Sequence, residues 1–179
     1  MQNILSHSQE ISGPMDYEEK QENYELAAKL ISEQNFAAAV IVGAVATLLA
    51  AVAYGIIVTT WPFSYGFAAA GIGIVIGLSM QFLGRGILMK FAVVATVYTI
   101  TGCILGNLFR VVMGRASATS PIDVLRNNSL SVLAEWSVRY VSLIDLVFWF
   151  VAVAAAVFLA KRPLSRSDRL AIGLFEMRA

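Results

Sequence analysis

One cysteine, one histidine and charges on only 14% of 179 residues leave this sequence little with which to do chemistry. Cys103 has no second thiol for a disulfide or a thiolate metal site. It lies inside an apolar run, where it reads as a small packing residue. His7 stands alone in a polar N-terminal stretch, so a bis-histidine haem site, a histidine zinc site and a Ser-His-Asp triad each lack a member. There is no HExxH motif, no pair of aspartates within the apolar runs and no phosphate-binding glycine loop. The glycines of Gly71-Ile-Gly-Ile-Val-Ile-Gly77 fall within an apolar run and serve helix packing. These absences argue against an enzyme, and no catalytic, cofactor-binding or metal-ligating residue is expected. A net charge of +1 provides no basic face for nucleic acid. The first 35 residues also lack a basic start and a short apolar core, so no cleavable signal peptide is expected. The first apolar run is expected to act as its own insertion signal.

Apolar sequence is what the chain has in quantity: 58% of residues are hydrophobic and the mean hydropathy is +0.72. Four runs, residues 36–60, 65–83, 88–113 and 140–160, each approach the roughly 20 residues that a helix needs to cross a bilayer. The expected fold is an all-α polytopic membrane protein, a bundle of four transmembrane helices with an amphipathic N-terminal helix and a helical outer loop. The segments are then an acidic tail (1–35), a transmembrane domain (36–160, with its outer loop at 114–139) and a basic tail (161–179).

Lys and Arg set the expected orientation. With the N-terminus in the cytoplasm, Lys20, Lys29, Arg85, Lys90, Lys161, Arg162, Arg166, Arg169 and Arg178 lie inside. Only Arg110, Arg115, Arg126 and Arg139 lie outside. The positive-inside bias therefore predicts cytoplasmic N- and C-termini. Trp61, Tyr65, Trp136, Tyr140 and Trp149 are expected as interfacial anchors near the outer ends.

Local signals refine this outline. Residues 1–35 hold Glu10, Asp16, Glu18, Glu19, Glu22, Glu25 and Glu33 against Lys20 and Lys29, broken by Gly13-Pro14. Tyr17, Tyr24 and Ile31 recur at a spacing of seven, which predicts an amphipathic helix that lies at the cytoplasmic surface or runs on into the first span; a solvated acidic tail is the other reading. Anionic lipid repels such a surface, so a protein partner or the basic tail is its expected neighbour. The tail, 167–179, is itself read as a short basic interfacial helix. Pro62 suits the first turn of the second span, and Gly84-Arg85-Gly86 makes a tight inner turn. Ser120-Pro121-Ile122-Asp123 predicts a short capped helix that ends at Asn127-Asn128. A further helix is expected to start at Ser129 or Ser131 and run on through Ala160, with Glu135 and Arg139 paired four apart.

Small residues mark where membrane helices approach closely. Ala39, Gly43, Thr47, Ala51 and Gly55 form a stripe at a spacing of four. Ala69, Gly73 and Gly77 form a second, flanked by Gly66 and Gly71; Gly102 and Gly106 form a third. They predict tight interfaces, either within one subunit or between subunits. The third run also carries Thr96, Thr99, Cys103, Asn107 and Arg110 along one side. Ionisable groups in a span usually face other helices or water, so Asp145 is expected to pair, with Arg110 as partner. Thr99, Asn107, Arg110 and Asp145 are the candidate polar membrane site, read either as structural or as an ion or proton site.

The glycine pattern Tyr65-Gly-Phe-Ala-Ala-Ala-Gly-Ile-Gly-Ile-Val-Ile-Gly77, then Gly84-Arg-Gly86 and Gly102-Cys-Ile-Leu-Gly-Asn107, resembles an uncharacterised four-transmembrane-helix domain family of bacterial proteins. Ser142-Leu-Ile-Asp-Leu-Val-Phe148 is similar to the start of that domain's last span. The resemblance covers about residues 35–160 and implies a bacterial membrane setting, with no activity attached.

The expected function is therefore that of a non-enzymatic inner-membrane protein, a homo-oligomeric scaffold or an accessory subunit of a membrane complex. Its partners would be membrane lipids, further copies or other membrane subunits. The alternative is a small channel or transporter subunit with a polar path along the third span. A pore would turn the Thr96–Thr99–Cys103–Asn107 face to water, whereas a scaffold would bury it.

Overall fold

The computed structural model describes residues 17–61, 65–116 and 120–176. The expectations placed on His7, Gly13-Pro14, Pro62 and Arg178 lie outside the described residues, as do the side chains of Tyr17 and Tyr65. The chain divides into two compact units, Gln34–Arg162 and the pair of segments Met1–Glu33 and Pro163–Ala179. Every element among the described residues is helical: α1 Tyr17–Ser32, α2 Phe36–Thr60, α3 Tyr65–Gly84, α4 Met89–Arg115, α5 Pro121–Asn127, α6 Leu130–Arg139, α7 Leu143–Leu159 and α8 Arg166–Glu176.

α2, α3 and α4 are each long and apolar enough to cross a membrane. At 1.5 Å per residue, the 25-residue α2 spans about 38 Å, beyond the roughly 30 Å of hydrocarbon. The residues these helices expose are large and apolar: Ile41, Val45 and Leu48 on α2, Val93, Val97, Ile100 and Ile104 on α4. Their spacing of three to four makes a continuous outward stripe. Inside, the bundle buries small or polar residues such as Ala39, Thr47, Ala51, Thr99 and Ala152. Phe91, Ile72, Ile76 and Met80 fill the space between these small groups, and with so much apolar surface turned outward the helices are compatible with a multi-pass membrane protein.

The fourth run departs from expectation. The helix expected to continue from Ser129 or Ser131 to Ala160 is two helices, α6 and α7, set at 98° across a break of three residues. Ser142 and Asp145 cause the break. The Ser142 hydroxyl accepts from the Asp145 N–H (3.3 Å), and the Asp145 carboxylate accepts from the Ser142 N–H (2.8 Å), a reciprocal box that starts a new helix there. With 17 residues, α7 is about 25 Å long, shorter than the other three apolar helices. α1 is likewise separate from α2: the Asn35 side chain accepts from the Ala38 N–H (2.9 Å) and caps α2 afresh.

α2 packs on α3 and α4, α7 packs on α3 and α4, and α3 meets α4 across the diagonal. α2 and α7 thus occupy opposite corners of a four-helix arrangement. Both ends of this unit meet one turn: the Asn35 N–H donates to the Gly84 carbonyl (3.1 Å) and the Arg162 N–H to the Gly86 carbonyl (2.8 Å). Arg85 between them holds φ at 48°, the left-handed conformation in which a helix commonly terminates and which a non-glycine residue adopts at some cost.

The short elements follow their local signals. Ser120 caps α5 with Pro121 in its first turn, and Asn128 ends it. Val124 of α5 and Leu133 of α6 bury against Val112 of α4 in a small core at that end of the bundle. Arg139 and Glu135 pair at 2.9 Å in an exposed position, where such a pair adds little stability. In the other unit α1 and α8 pack together and bury Ala27, Leu30, Ala171 and Ile172. The acidic helix therefore has the basic tail as its neighbour, and Ser165 and Asp168 start α8 with reciprocal bonds like those of Ser142 and Asp145.

Candidate functional site

Part of the polar face of α4 is turned into the bundle, whereas Thr96 is half-buried and Thr101 exposed. Thr99 is fully buried and Cys103 and Asn107 are nearly so. Each threonine hydroxyl on this helix spends its proton locally: Thr99 donates to the Ala95 carbonyl (2.7 Å), Thr96 to Ala92 (2.9 Å) and Thr101 to Val97 (2.8 Å), while the Tyr98 hydroxyl donates to the Val40 carbonyl of α2 (2.9 Å). Bonds of this kind satisfy a hydroxyl without a partner from outside the helix. Asn107 reaches further, donating from Nδ2 to the Ser137 carbonyl at 2.7 Å. Ser137 lies in the last turn of α6, and its carbonyl also accepts from the Tyr140 N–H (3.3 Å), so Asn107 adds the shorter bond at that helix end and pins the bend before α7.

Asp145 is used differently from the expected Arg110 ion pair. Its Oδ2 accepts from the Ser142 N–H and, at 3.0 Å, from the Ser142 hydroxyl. A carboxylate in the first turn of α7 also complements the positive end of the helix dipole, so its charge belongs to the helix start. The Arg110 guanidinium stands 5.9 Å from the centre of the Tyr140 ring. Of the four candidate residues, Thr99 and Asn107 share a buried face two turns apart, while Arg110 and Asp145 serve separate local structures at the end of the bundle. Asp145→Ala is expected to cost about 1 kcal/mol and fray the first turn of α7, and Asp145→Asn less, because the amide oxygen still accepts. Thermal unfolding in detergent micelles measures both. A normal melt for Asp145→Asn combined with loss of a transmembrane flux would restore the ion-site reading.

The packing residues fall where close approach is needed. Ala39, Gly43, Thr47, Ala51 and Gly55 are all buried along α2. A Cβ on Gly55 would lie 2.7 Å from the Phe109 Cβ and 3.0 Å from its backbone, so this stripe is the contact with α4. Gly73 and Gly77 lie against Ala152 and Ala156 of α7, with Gly73 directly on the Ala152 carbonyl. Gly102 meets Ile72 and Thr47, and Gly106 meets the Tyr54 ring. The stripes are therefore consumed in packing within one chain. Gly71 is the exception, with open space where its Cβ would be.

Comparison with protein-family models, with curated proteins and with solved structures finds no match to this chain. The resemblance in the glycine pattern thus receives no support from them, and function has to be argued from the geometry.

Two features escaped the sequence reading. The Ser142-Leu-Ile-Asp145 box was present as an S-x-x-D signal but lay inside an apolar run. Trp149, expected as an interfacial anchor, sits in the second turn of α7 and packs against the core. Trp61, Trp136 and Tyr140 do gather at one end, and the Arg115 guanidinium stacks on Trp136 at 3.9 Å from the ring centre. Among the described residues no group of three His, Cys, Asp or Glu side chains is placed to hold a metal ion.

Proposed function

We propose that this chain is a non-catalytic protein of a bacterial inner membrane that works by contact, as a scaffold or accessory subunit of a membrane complex. It would cross the bilayer four times, α7 being the fourth span, with both termini in the cytoplasm. The observation that carries the reading is the burial of the α4 polar face. Thr99, Cys103 and Asn107 are buried, and Thr99 and Asn107 make their hydrogen bonds within the fold. A path for ions or solutes needs polar groups turned to water, and Thr99, Cys103 and Asn107 are turned away from it.

The meeting of both unit ends at the Gly84–Gly86 turn supports an even number of crossings. The Lys and Arg distribution favours that end as the cytoplasmic one. Since the small-residue stripes are consumed within the chain, a second copy or another subunit needs a different face. The groove between α2 and α3 fits best, walled by Ala50, Ala53, Ala68 and the open Gly71.

Cys103 tests the choice between scaffold and pore. A membrane-impermeant, water-soluble maleimide applied to intact membranes is expected to leave it unmodified until the protein is unfolded. Native mass spectrometry of gently extracted protein is expected to show stoichiometric association with copies or other subunits. Rapid labelling would favour a pore, and a monomer in native membranes would sink the scaffold reading.

A further inference from the structure

We propose that α8 docks on an anionic lipid surface through Arg166, Arg169 and Leu170, and so holds the α1–α8 unit at the membrane. Ala171 and Ile172 are buried where α1 packs on α8. With 3.6 residues per turn, Arg166, Arg169, Leu170 and Gly173 fall on the opposite side, within about 100° of arc. Both arginines on that side are exposed, and Leu170 is 60% exposed. A Cβ on Gly173 would meet nothing within 4 Å, so the side stays open at its far end.

The chemistry of that side fits anionic lipid. Between Arg166 and Gly173 the only acid is Asp168, which falls on the α1 side and accepts from the Ser165 N–H (3.2 Å) at the helix start. Among the described residues no ion pair joins Arg166 or Arg169 to a carboxylate. Arg169 donates from Nε to the Leu164 carbonyl (3.3 Å), a bond that leaves its charge in place. Attraction to an anionic surface acts on that charge and needs no free donor. An exposed leucine between two arginines suits a helix lying among headgroups, its apolar side chain inserted and its long cationic ones reaching the phosphates.

The other helix of the unit fixes which side meets lipid. Glu18, Glu22 and Glu25, with Lys29, are exposed on the side of α1 opposite its buried Ala27 and Leu30. The unit therefore has a basic side on α8 and an acidic side on α1. Anionic lipid attracts the first and repels the second. Six residues, 160–165, link the end of α7 to the start of α8. Fully extended, that link reaches about 25 Å, so α8 begins near the face at which α7 ends. This position rests on the reading of α7 as a membrane span.

The test uses the full chain in nanodiscs of phosphatidylglycerol or phosphatidylcholine, with amide hydrogen exchange read across residues 166–173. Docking adds its free energy to the folded helix and slows opening accordingly. Exchange there is expected to be about tenfold slower in phosphatidylglycerol, given the attraction of an anionic surface for two arginines. Arg166→Gln with Arg169→Gln is expected to abolish the difference, and Arg166→Lys with Arg169→Lys to keep it. Each variant is compared with itself in the two lipids, so a change in the helix's own stability cancels. Equal exchange of the wild type in both lipids overturns the proposal, and so does a difference that survives in the glutamine variant. Loss of the difference in the lysine variant overturns attraction by charge as its cause. A chain that neither nanodisc takes up overturns the membrane reading and the docking with it, whereas uptake with equal exchange overturns the docking alone.

Discussion

Gly73→Ala is expected to destabilise the protein by about 3 kcal/mol or more, although it adds one methyl group to a helix. That methyl would overlap the backbone carbonyl of Ala152, which no side-chain rotation can move aside. Relief requires α3 and α7 to separate, and separation also loosens Gly77 against Ala156 and Leu159. Dispersion contacts fall off within an ångström, and in lipid no hydrophobic term draws the helices back together. Gly71→Ala, two residues earlier on the same helix, is the control. Its Cβ meets nothing within 4 Å, and alanine is the better helix former by about 1 kcal/mol in water. It is expected to melt at or above the wild-type temperature. Unfolding in micelles can be followed by tryptophan fluorescence, since Trp149 on α7 packs against the core. Equal melting of Gly73→Ala and wild type would show that α3 and α7 are not in backbone contact.

The second large effect is expected at Asn107. Asn107→Ala removes the 2.7 Å bond to the Ser137 carbonyl and leaves that acceptor with the Tyr140 N–H at 3.3 Å. The expected loss is about 1–1.5 kcal/mol, the net worth of one part-buried hydrogen bond, because the acceptor keeps a partner. Its location is as diagnostic as its size. Amide hydrogen exchange is expected to rise across residues 120–142, where α5, α6 and the bend depend on this anchor, and little in α2 and α3. A channel reading makes the opposite forecast for the same variant: altered flux with exchange in that segment unchanged.

Several features were legible because they depend on neighbours in sequence. Ser120-Pro121 at a helix start, Asn128 at its end and the Glu135–Arg139 pair needed only the spacing rules of one helix. The small-residue stripes were legible as contact faces too, since volume alone marks where helices can approach. The S-x-x-D box at Ser142 was equally local and still went unread. Hydropathy averaged over a long window made residues 140–160 one run, and two hydrogen bonds at its start outweigh that average. The same averaging placed Trp149 at an interface, because it takes no account of which side of α7 faces α3.

Composition and periodicity alone determine that this protein is helical, that it holds four apolar runs near the length of a membrane span, and which of their faces are small. Those properties are set by side-chain volume and polarity along a helix, and they survive whatever the helices later meet. Only the tertiary structure decides that the stripes are spent within one chain, that Asp145 caps α7 instead of pairing with Arg110, and that α1 covers the side of α8 opposite Arg166 and Arg169. Each of these depends on which groups distant in sequence come within a few ångströms, and contact and hydrogen-bond energies vanish beyond that range.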